Sequence, residues 1–394
     1  MGKVASEKSL NKILSYLKLL GANARTQLYT KPSEIARLIR EGDLETNAAL
    51  FPVGGVLTVP WRDADAACDR QAFFRIVSHA AVETEDGSAV PGMFLQLRLA
   101  PPSAVLFSER QAFFNAGDAG LPAGTYQVSV GQTVDGYTLG DVAVFTLTQP
   151  VPPQGRLFMG SKQGNTYPVS SFGAQGIIES VSASVVTSSD APSLGSTSEG
   201  GNNLQGRMRY GSNRYKTSAV RQWLNGVGTG WFRFADKFDM PPSAPLHGFL
   251  GGFEDEFLSA IRPVKQLTLV PNADAAESSE TDVTFDKFFL PSLEQLNVTP
   301  QVAGAEGGAF EYWRTAQGAQ GFAGTSATDA FDCFKTGVMG APESYKPILT
   351  RSALKSHNNV LYKIRSEGFV GAGNVGSTYR ANEPGWVCPV CVIC

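Results

Sequence analysis

The chain ends in the stretch Gly385-Trp386-Val387-Cys388-Pro389-Val390-Cys391-Val392-Ile393-Cys394. Its apolar run from 387 to 393 predicts a buried strand, in which cysteine acts as a small, soft hydrophobic residue. The alternative is a metal site, because Cys388 and Cys391 have the spacing of half a zinc knuckle. Cys333 would then have to supply a further ligand, since the histidines are isolated in the sequence. We favour the strand, and we expect no metal and no cofactor.

The region before this strand, within residues 156–394, mixes short helices with irregular strands. Residues 218–224 and 254–261 are predicted helices, and the second ends before Pro263. Residues 288–290 are predicted to form a buried strand. This pattern is typical of an α+β domain with much loop.

In the N-terminal part of the chain, apolar side chains recur at the two-residue spacing of strands. Residues 73–77, 94–99, 126–130 and 142–147 read as strands, several of which alternate apolar and polar side chains. We therefore predict a small β-sandwich-like domain over residues 50–149, a proline-rich linker at 150–155 and a mixed domain at 156–394. The Ser-, Gly- and Asn-rich stretch 182–205 predicts a long exposed loop.

Residues 1–49 are predicted to be a basic helical segment. Residues 6–20 and 32–41 each place apolar side chains at helical spacing, and Pro32 suits a first helical position. Such a pair could contact a membrane or a nucleic acid, or it could dock onto a partner or onto its own domain. We favour docking and interpret the segment as an anchor. A chain that starts near Leu50 is then expected to fold by itself.

Charge and composition exclude several functions. The net charge of the 394 residues is −3, which gives no nucleic-acid footprint for the whole chain. No apolar run is long enough for a transmembrane helix, and the N-terminus has no secretory signal pattern. The odd number of cysteines, five, favours synthesis in a reducing compartment over a disulfide framework.

Catalytic motifs are weak. We find no nucleophile elbow, phosphate-binding loop or zinc-protease helix, so we expect no enzymatic activity. The acids at 254–256 stand where a helix starts, and there they favour the helix dipole. The basic and aromatic stretch 207–215 is typical of some nucleic-acid surfaces, but its charge is too local for a binding groove.

Several motifs together resemble a phage-encoded family that is known as a domain of unknown function. They lie at 50–54, 123–126, 209–213, 218–225, 238–242, 248–252, 256–258, 287–292 and 385–393. The resemblance covers nearly the whole chain, and the order of the motifs is more specific than any one of them. Family members often carry Trp-Leu-Arg-Ser-Pro near the end. Here residues 348–353 keep Arg351 and Ser352 but lack the tryptophan and the proline.

The resemblance implies a C-type-lectin-like fold for the C-terminal domain and a structural protein of a phage virion, made in the host cytoplasm. Two positions on the particle are possible: the head, as a capsid decoration or head fibre, or the tail, as a tail-fibre adhesin. The implied partners are other virion proteins, reached through the N-terminal segment, and a host surface carbohydrate or protein. We expect a homo-oligomer, with no nucleic-acid partner and no membrane insertion. The alternatives are an enzyme of the formylglycine-generating type, which would need Cys333 paired with a tail cysteine, and a zinc-stabilised binding module.

The ligand-binding surface is predicted in glycine-rich loops between 351 and 386. Exposed Tyr, Trp and Arg side chains give contact area at low entropic cost. The candidate residues are Tyr362, Arg365, Tyr379, Arg380 and Trp386. The segment holds few acids, so we expect binding to be independent of calcium.

Overall fold

The computed structural model describes residues 27–28, 31–108, 211–229, 231, 247–272, 275–319, 332–357, 359–368, 370–372 and 380–394, and mainly the backbone of a set of strands between 114 and 187. The α-helices are α1 (Pro32–Glu41), α2 (Leu44–Leu50), α3 (Ala219–Leu224), α4 (Asp255–Ala260) and α5 (Glu311–Ala319). Short 3₁₀ helices are η1 (Tyr215–Thr217), η2 (Phe249–Gly252) and η3 (Asp332–Phe334).

The strands are β1 (Gln27–Leu28), β2 (Val56–Asp63), β3 (Cys68–Glu83), β4 (Ala89–Leu97), β5 (Val105–Leu106), β6 (Phe114–Asn115), β7 (Gly124–Val128), β8 (Thr133–Val134), β9 (Tyr137–Thr138), β10 (Ala143–Leu147), β11 (Arg156–Met159), β12 (Thr166–Phe172), β13 (Ile178–Thr187), β14 (Val264–Leu269), β15 (Thr281–Asp286), β16 (Phe288–Phe289), β17 (Ile348–Ala353), β18 (Leu361–Ile364), β19 (Val370–Ala372), β20 (Pro384–Gly385) and β21 (Val390–Ile393). The mixed α+β class predicted from the sequence is confirmed.

The C-terminal strand β21 lies inside the principal sheet, whose order is β1-β2-β3-β4-β21-β16. It pairs antiparallel with β4, where Cys391 faces Leu95, and with β16, where Phe288 faces Cys391. All four of its residues are fully buried, as are the thiols of Cys391 and Cys394. The predictions of a buried strand at the chain end and of a buried strand at 288–290 are therefore confirmed.

The strand pairing does not follow the predicted domain boundaries. The principal sheet joins strands of 56–97 to strands near 288 and 390, although these were predicted to lie in separate domains. The second six-stranded sheet, β6-β11-β12-β13-β10-β7, combines strands from both sides of the predicted linker. Strand β13 also takes residues 182–187, which were predicted to be loop, while 151–155 and 188–205 lie outside the described residues.

Helix α1 confirms the helix predicted at 32–41 and packs within the chain's own fold. Its apolar side chains Ile35, Leu38 and Ile39 are fully buried, and the helix packs against α4, β4 and β21 of its own chain. Arg40 Nη1 donates a hydrogen bond to the carbonyl oxygen of Cys394 at 3.1 Å. The apolar stripe is thus used within the chain's own core. The helix predicted at 6–20 lies outside the described residues.

An aromatic cluster fixes α4 and η2 on one face of the principal sheet. The ring centroids of Phe249 and Phe288 are 5.1 Å apart, those of Phe253 and Phe288 are 5.3 Å apart, and those of Phe74 and Phe257 are 5.4 Å apart. Helices α3 and α4 lie where the sequence predicted helices, and the acids at 255–256 occupy the first turn of α4. These acids therefore serve the helix end, as predicted.

Candidate functional site

The four predicted binding residues that the structure describes are half-buried. Tyr362 lies in β18, half-buried against the core, and Trp386 is half-buried with its Nε1 donating to the carbonyl oxygen of Pro102 at 3.2 Å. Arg365 and Arg380 are half-buried, and Tyr379 lies outside the described residues. The expected exposure of the tyrosine and tryptophan is thus corrected, because both side chains pack against the protein itself.

The segment 351–386 is ordered by a motif from elsewhere in the sequence. Asn213 is fully buried, and its Nδ2 donates to the carbonyl oxygens of His357 at 2.8 Å and Val360 at 2.7 Å. The side chains of His357 and Asn359 are themselves buried. The polar residues that predicted a contact surface therefore serve, at these positions, a buried turn.

Arg351, one of the two retained motif residues, is a core residue. Its side chain is fully buried. Its Nη1 donates to the carbonyl oxygen of Leu290 at 2.6 Å and to Oε1 of Gln295 at 2.7 Å. Its Nη2 donates to the carbonyl oxygen of Glu306 at 2.8 Å. The guanidinium stands 5.6 Å from the ring centroid of Phe289. These acceptors compensate for the removal of the charge from water.

The carboxyl group of Glu306 lies in the same buried network. It accepts hydrogen bonds from the hydroxyl of Ser352 and from the backbone N–H of Leu269, the latter at 3.2 Å. Burial raises the pKa of Glu306, while Arg351, Ser352 and the Leu269 amide act in the opposite direction. The motif residues Arg351 and Ser352 thus join the strands around them, with no opening toward a ligand among the described contacts.

Two more arginines are paired with strand β15. Arg214 donates to both carboxylate oxygens of Asp282 at 2.7 and 2.8 Å, and Arg221 Nε donates to Asp286 at 2.9 Å. Both aspartates are buried. The basic stretch at 207–215, as far as it is described, is therefore engaged in ion pairs within the chain.

A different arrangement occurs on the side of the principal sheet that faces away from the aromatic cluster. In β2, β3 and β4 the side chains alternate, so that Phe74 points to the core while Phe73 and Arg75 point to the other side. Arg75 stands opposite Val56 and Gln96, and the backbone N–H of Arg98 donates to the carbonyl oxygen of Phe73 at 2.8 Å. Arg75 and Arg98 therefore lie side by side on one face of two paired strands.

Helix α5 covers part of this face and leaves a cleft beside it. Trp313 is buried, and its Nε1 donates to Oε1 of Gln96 at 2.9 Å. Tyr312 is half-buried, with its ring centroid 4.2 Å from Cζ of Arg75. Two cavities of about 210 and 430 Å³ open here, and both are lined by Arg75 and Arg98. We call this the arginine cleft.

The other residues that line the cleft come from distant parts of the chain. The larger cavity is lined by Gly54, Val56, Thr58, Phe73 and Tyr312. The smaller cavity is lined by Gln96, Leu97, Leu99, Trp313, Cys333, Lys335, Thr336, Gly337, Pro342, Tyr345, Ile348, Ile364 and Cys388. Gly337 is required at this rim, because a Cβ atom there would stand 1.9 Å from the carbonyl oxygen of Pro342.

The cleft is cationic, and its two shared arginines form no ion pair within the part of the chain that the structure describes. Among the described residues, no carboxylate forms an ion pair with Arg75 or Arg98, whereas Arg214 and Arg221 are each paired. Burial lowers the pKa of Arg75, and the positive charge of Arg98 lowers it further. The guanidinium of Arg75 is half-buried against the ring of Tyr312 and Arg98 is exposed, so both can donate hydrogen bonds to a molecule that enters the cleft.

Two cysteines line the smaller cavity. Cys333 is half-buried and Cys388 is buried, and both are free thiols. Burial raises the pKa of Cys388 well above its ordinary value, so this side chain stays a neutral thiol at physiological pH. Within the described part of the chain, no three His, Cys, Asp or Glu side chains are grouped so that they could hold a metal ion. None of the described helices is long and apolar enough to cross a membrane.

These features define a mixed α+β protein in which the C-terminal strand completes a sheet begun near the front of the chain. The chain belongs to the family described as a domain of unknown function (DUF6273), whose model matches residues 184–393, more than half of the 394 residues. Searches of curated proteins and of solved structures gave no match.

Proposed function

We propose that this chain is a non-enzymatic structural protein of a phage particle that displays a ligand-binding surface. In the proposed layout the C-terminal domain is C-type-lectin-like, with short helices and strands between long irregular segments. Capsid decoration or head fibre and tail-fibre adhesin are the two places that fit such a protein.

One observation carries the proposal: the motif residues that resemble the phage family are used to build the core. Asn213, Trp223, Phe249, Phe257, Phe288 and Val390 are all buried. Arg351 and Ser352 are buried too, with their polar atoms bonded inside the chain. A family signature made of packing residues specifies a scaffold, whereas an enzyme's signature would include reactive groups in a cavity.

The experiment is immunogold electron microscopy of particles induced from a strain that carries the gene, with antibody raised against the purified chain. We expect gold at one defined position on the particle, either the head or the tail. Recovery of the protein only from the soluble fraction of the lysate would contradict the proposal. Particles from a strain with the gene deleted are the control.

A second candidate, an enzyme of the formylglycine-generating type, is favoured by one observation only. Cys333 and Cys388 line the same cavity, which is where paired redox cysteines would have to be. The burial of Cys388 argues against it, because a buried neutral thiol reacts slowly. Alkylation of the native protein by iodoacetamide separates the two candidates. Labelling of Cys388 as fast as that of the exposed Cys68 would favour the enzyme.

The third candidate, a zinc-stabilised module, requires the tail cysteines as ligands. The side chain of Cys391 points into the core opposite Leu95 and Phe288, where it is surrounded by apolar groups. Metal analysis of the purified protein tests this directly, and one zinc per chain would replace the core interpretation of the tail.

A further inference from the structure

We propose that the arginine cleft binds a saccharide that carries a carboxylate or a sulfate group. This inference rests on the proposed function for the biological setting, since it gives the displayed surface a ligand class. It is tested in solution without any particle, so its failure and the failure of the proposed function are distinguishable.

The charge of the cleft identifies an anion. Arg75 and Arg98 stand on neighbouring strands with their side chains on the same face, and both line the two cavities. Lys335 lines the smaller cavity as well. A planar oxyanion accepts two parallel N–H bonds from a guanidinium, which is the strongest recognition that an arginine offers. An external oxyanion would therefore supply the acceptors that these arginines lack within the described chain.

The size of the cleft and its aromatic rim favour a ligand larger than a free ion. The larger cavity, about 430 Å³, falls within the ~300–1,000 Å³ that is usual for small-molecule sites. The half-buried Tyr312 lines it, and Tyr345, with 44% of its surface exposed, lines the smaller cavity. Aromatic rings offer an apolar face with a polar tip, which suits the C–H face and the hydroxyls of a sugar ring.

A polyanion is less suited to this cleft. Nucleic-acid surfaces neutralise several phosphates with a stripe of Lys and Arg, and the chain as a whole carries a charge of −3. The paired arginines Arg214 and Arg221 are already occupied by aspartates and cannot extend the cleft into such a stripe. Two arginines in one concavity, neither of them paired with a described carboxylate, match a single anionic group on a compact ligand.

The test is isothermal titration of the full chain at constant ionic strength with methyl glucuronide, methyl glucoside and sodium acetate. We expect the glucuronide to bind, with the glucoside and acetate each weaker by about tenfold or more, because each lacks one half of the contacts. A short DNA oligonucleotide is included as a polyanion. Tighter binding of the oligonucleotide, or acetate binding as well as the glucuronide, would overturn the assignment to an acidic saccharide.

The matched variants are Arg98→Gln and Arg262→Gln, both of which remove one exposed arginine. Arg262 does not line the cleft. We expect Arg98→Gln to weaken glucuronide binding by about tenfold or more and Arg262→Gln to change it less than about twofold. Arg75→Lys, which keeps the charge and loses the planar fork, is expected to weaken binding as well. Undiminished binding in Arg98→Gln would overturn the proposal, as would equal losses in Arg98→Gln and Arg262→Gln.

Discussion

Arg351 and the pair Arg75 and Arg98 are arginines in opposite situations. Arg351 is fully buried, and its guanidinium donates to acceptors of the chain at distances down to 2.6 Å. Arg75 and Arg98 line open cavities, and neither has an ion pair with a described carboxylate. The first arrangement is complete without a ligand, whereas the second has donors that meet no carboxylate among the described residues.

The difference shows which arginines carry structure and which can carry recognition. A buried arginine whose donors are all matched cannot move without leaving carbonyl groups unpaired, so it fixes the strands around it. An arginine that lines a cavity and has no ion pair with a described carboxylate can donate to a molecule from outside. Burial and hydrogen-bond partners therefore separate the two together, because Arg351 is fully buried while Arg75 is half-buried and Arg98 is exposed.

The largest loss in free energy of unfolding is expected from Arg351→Met. The change keeps the bulk of the side chain but leaves the carbonyl oxygens of Leu290 and Glu306 without their donor. Removing one partner of a buried charged network costs about 3–5 kcal/mol in free energy of unfolding. Urea unfolding followed by far-ultraviolet circular dichroism measures it.

Arg98→Gln is the matched control for this loss. Arg98 is exposed and makes no ion pair with a described carboxylate, so its free energy of unfolding is expected to change by less than about 0.5 kcal/mol. A loss in Arg98→Gln as large as that in Arg351→Met would remove the distinction between the two kinds of arginine.

The next largest loss of stability is expected in helix α1, which belongs to the segment predicted to be an anchor. Leu38→Ala empties a fully buried position and is expected to cost about 2–5 kcal/mol. Leu44, in α2, is 38% exposed, and Leu44→Ala is the control with a much smaller expected loss. The same reasoning predicts that a chain starting at Leu50 does not fold stably. A stable fold for that truncated chain, measured by thermal unfolding, would contradict this prediction.

A smaller loss is expected at the C-terminal strand. Cys391→Ser buries a hydroxyl among apolar side chains and is expected to cost about 1–3 kcal/mol. Cys68→Ser, at an exposed thiol, is expected to change stability by less than about 0.5 kcal/mol. Metal content is expected to be unchanged in Cys391→Ser, whose thiol does not line the arginine cleft. Loss of one zinc per chain in that variant would establish a metal site.

The smallest effect is a pH dependence at His79. One ring nitrogen, Nε2, lies 2.8 Å from the carbonyl oxygen of Phe51, while the other, Nδ1, is buried without a partner. Burial lowers the pKa of His79 below its ordinary 6.5, although the Phe51 carbonyl and Glu311 oppose this. The folded state therefore holds the neutral ring, and its stability is lost as the pH falls below 6.5 through the lowered pKa.

Melting temperatures between pH 7.5 and 5 test this prediction. The decrease is expected to be smaller in His79→Gln, which keeps a donor for Phe51 and cannot titrate. An identical pH profile in the variant and the parent protein would assign the titration to other groups.

Local periodicity predicted the elements well and their partners poorly. Alternation identified the strands around Phe74 and Phe94, and the apolar run identified β21. The insertion of β21 between β4 and β16 joins residues that are nearly 300 positions apart, and no local pattern encodes that pairing. The boundary placed near residue 150 followed from composition, which does not report pairing.

Tyr362 and Trp386 are less exposed than predicted, for a physical reason. Asn, Tyr and Gly suit exposed contact loops, but they suit buried turns equally, and Asn213 draws the turn at 357–360 into the core. The signal for the arginine cleft was present in two strands. Arg75 and Arg98 follow Phe73 and Gln96 at spacing two, which places each on the outer face. Sequence alone could not show that no carboxylate faces them.

The most direct test of the account is a crystal structure of the full chain grown with methyl glucuronide. We expect density for the carboxylate between the guanidinium groups of Arg75 and Arg98, with the sugar ring against Tyr312. The contacts of Arg351 are expected to be unchanged. A structure in which Arg75 and Arg98 are paired with carboxylates of the chain itself, and the saccharide is absent from the cleft, would contradict it.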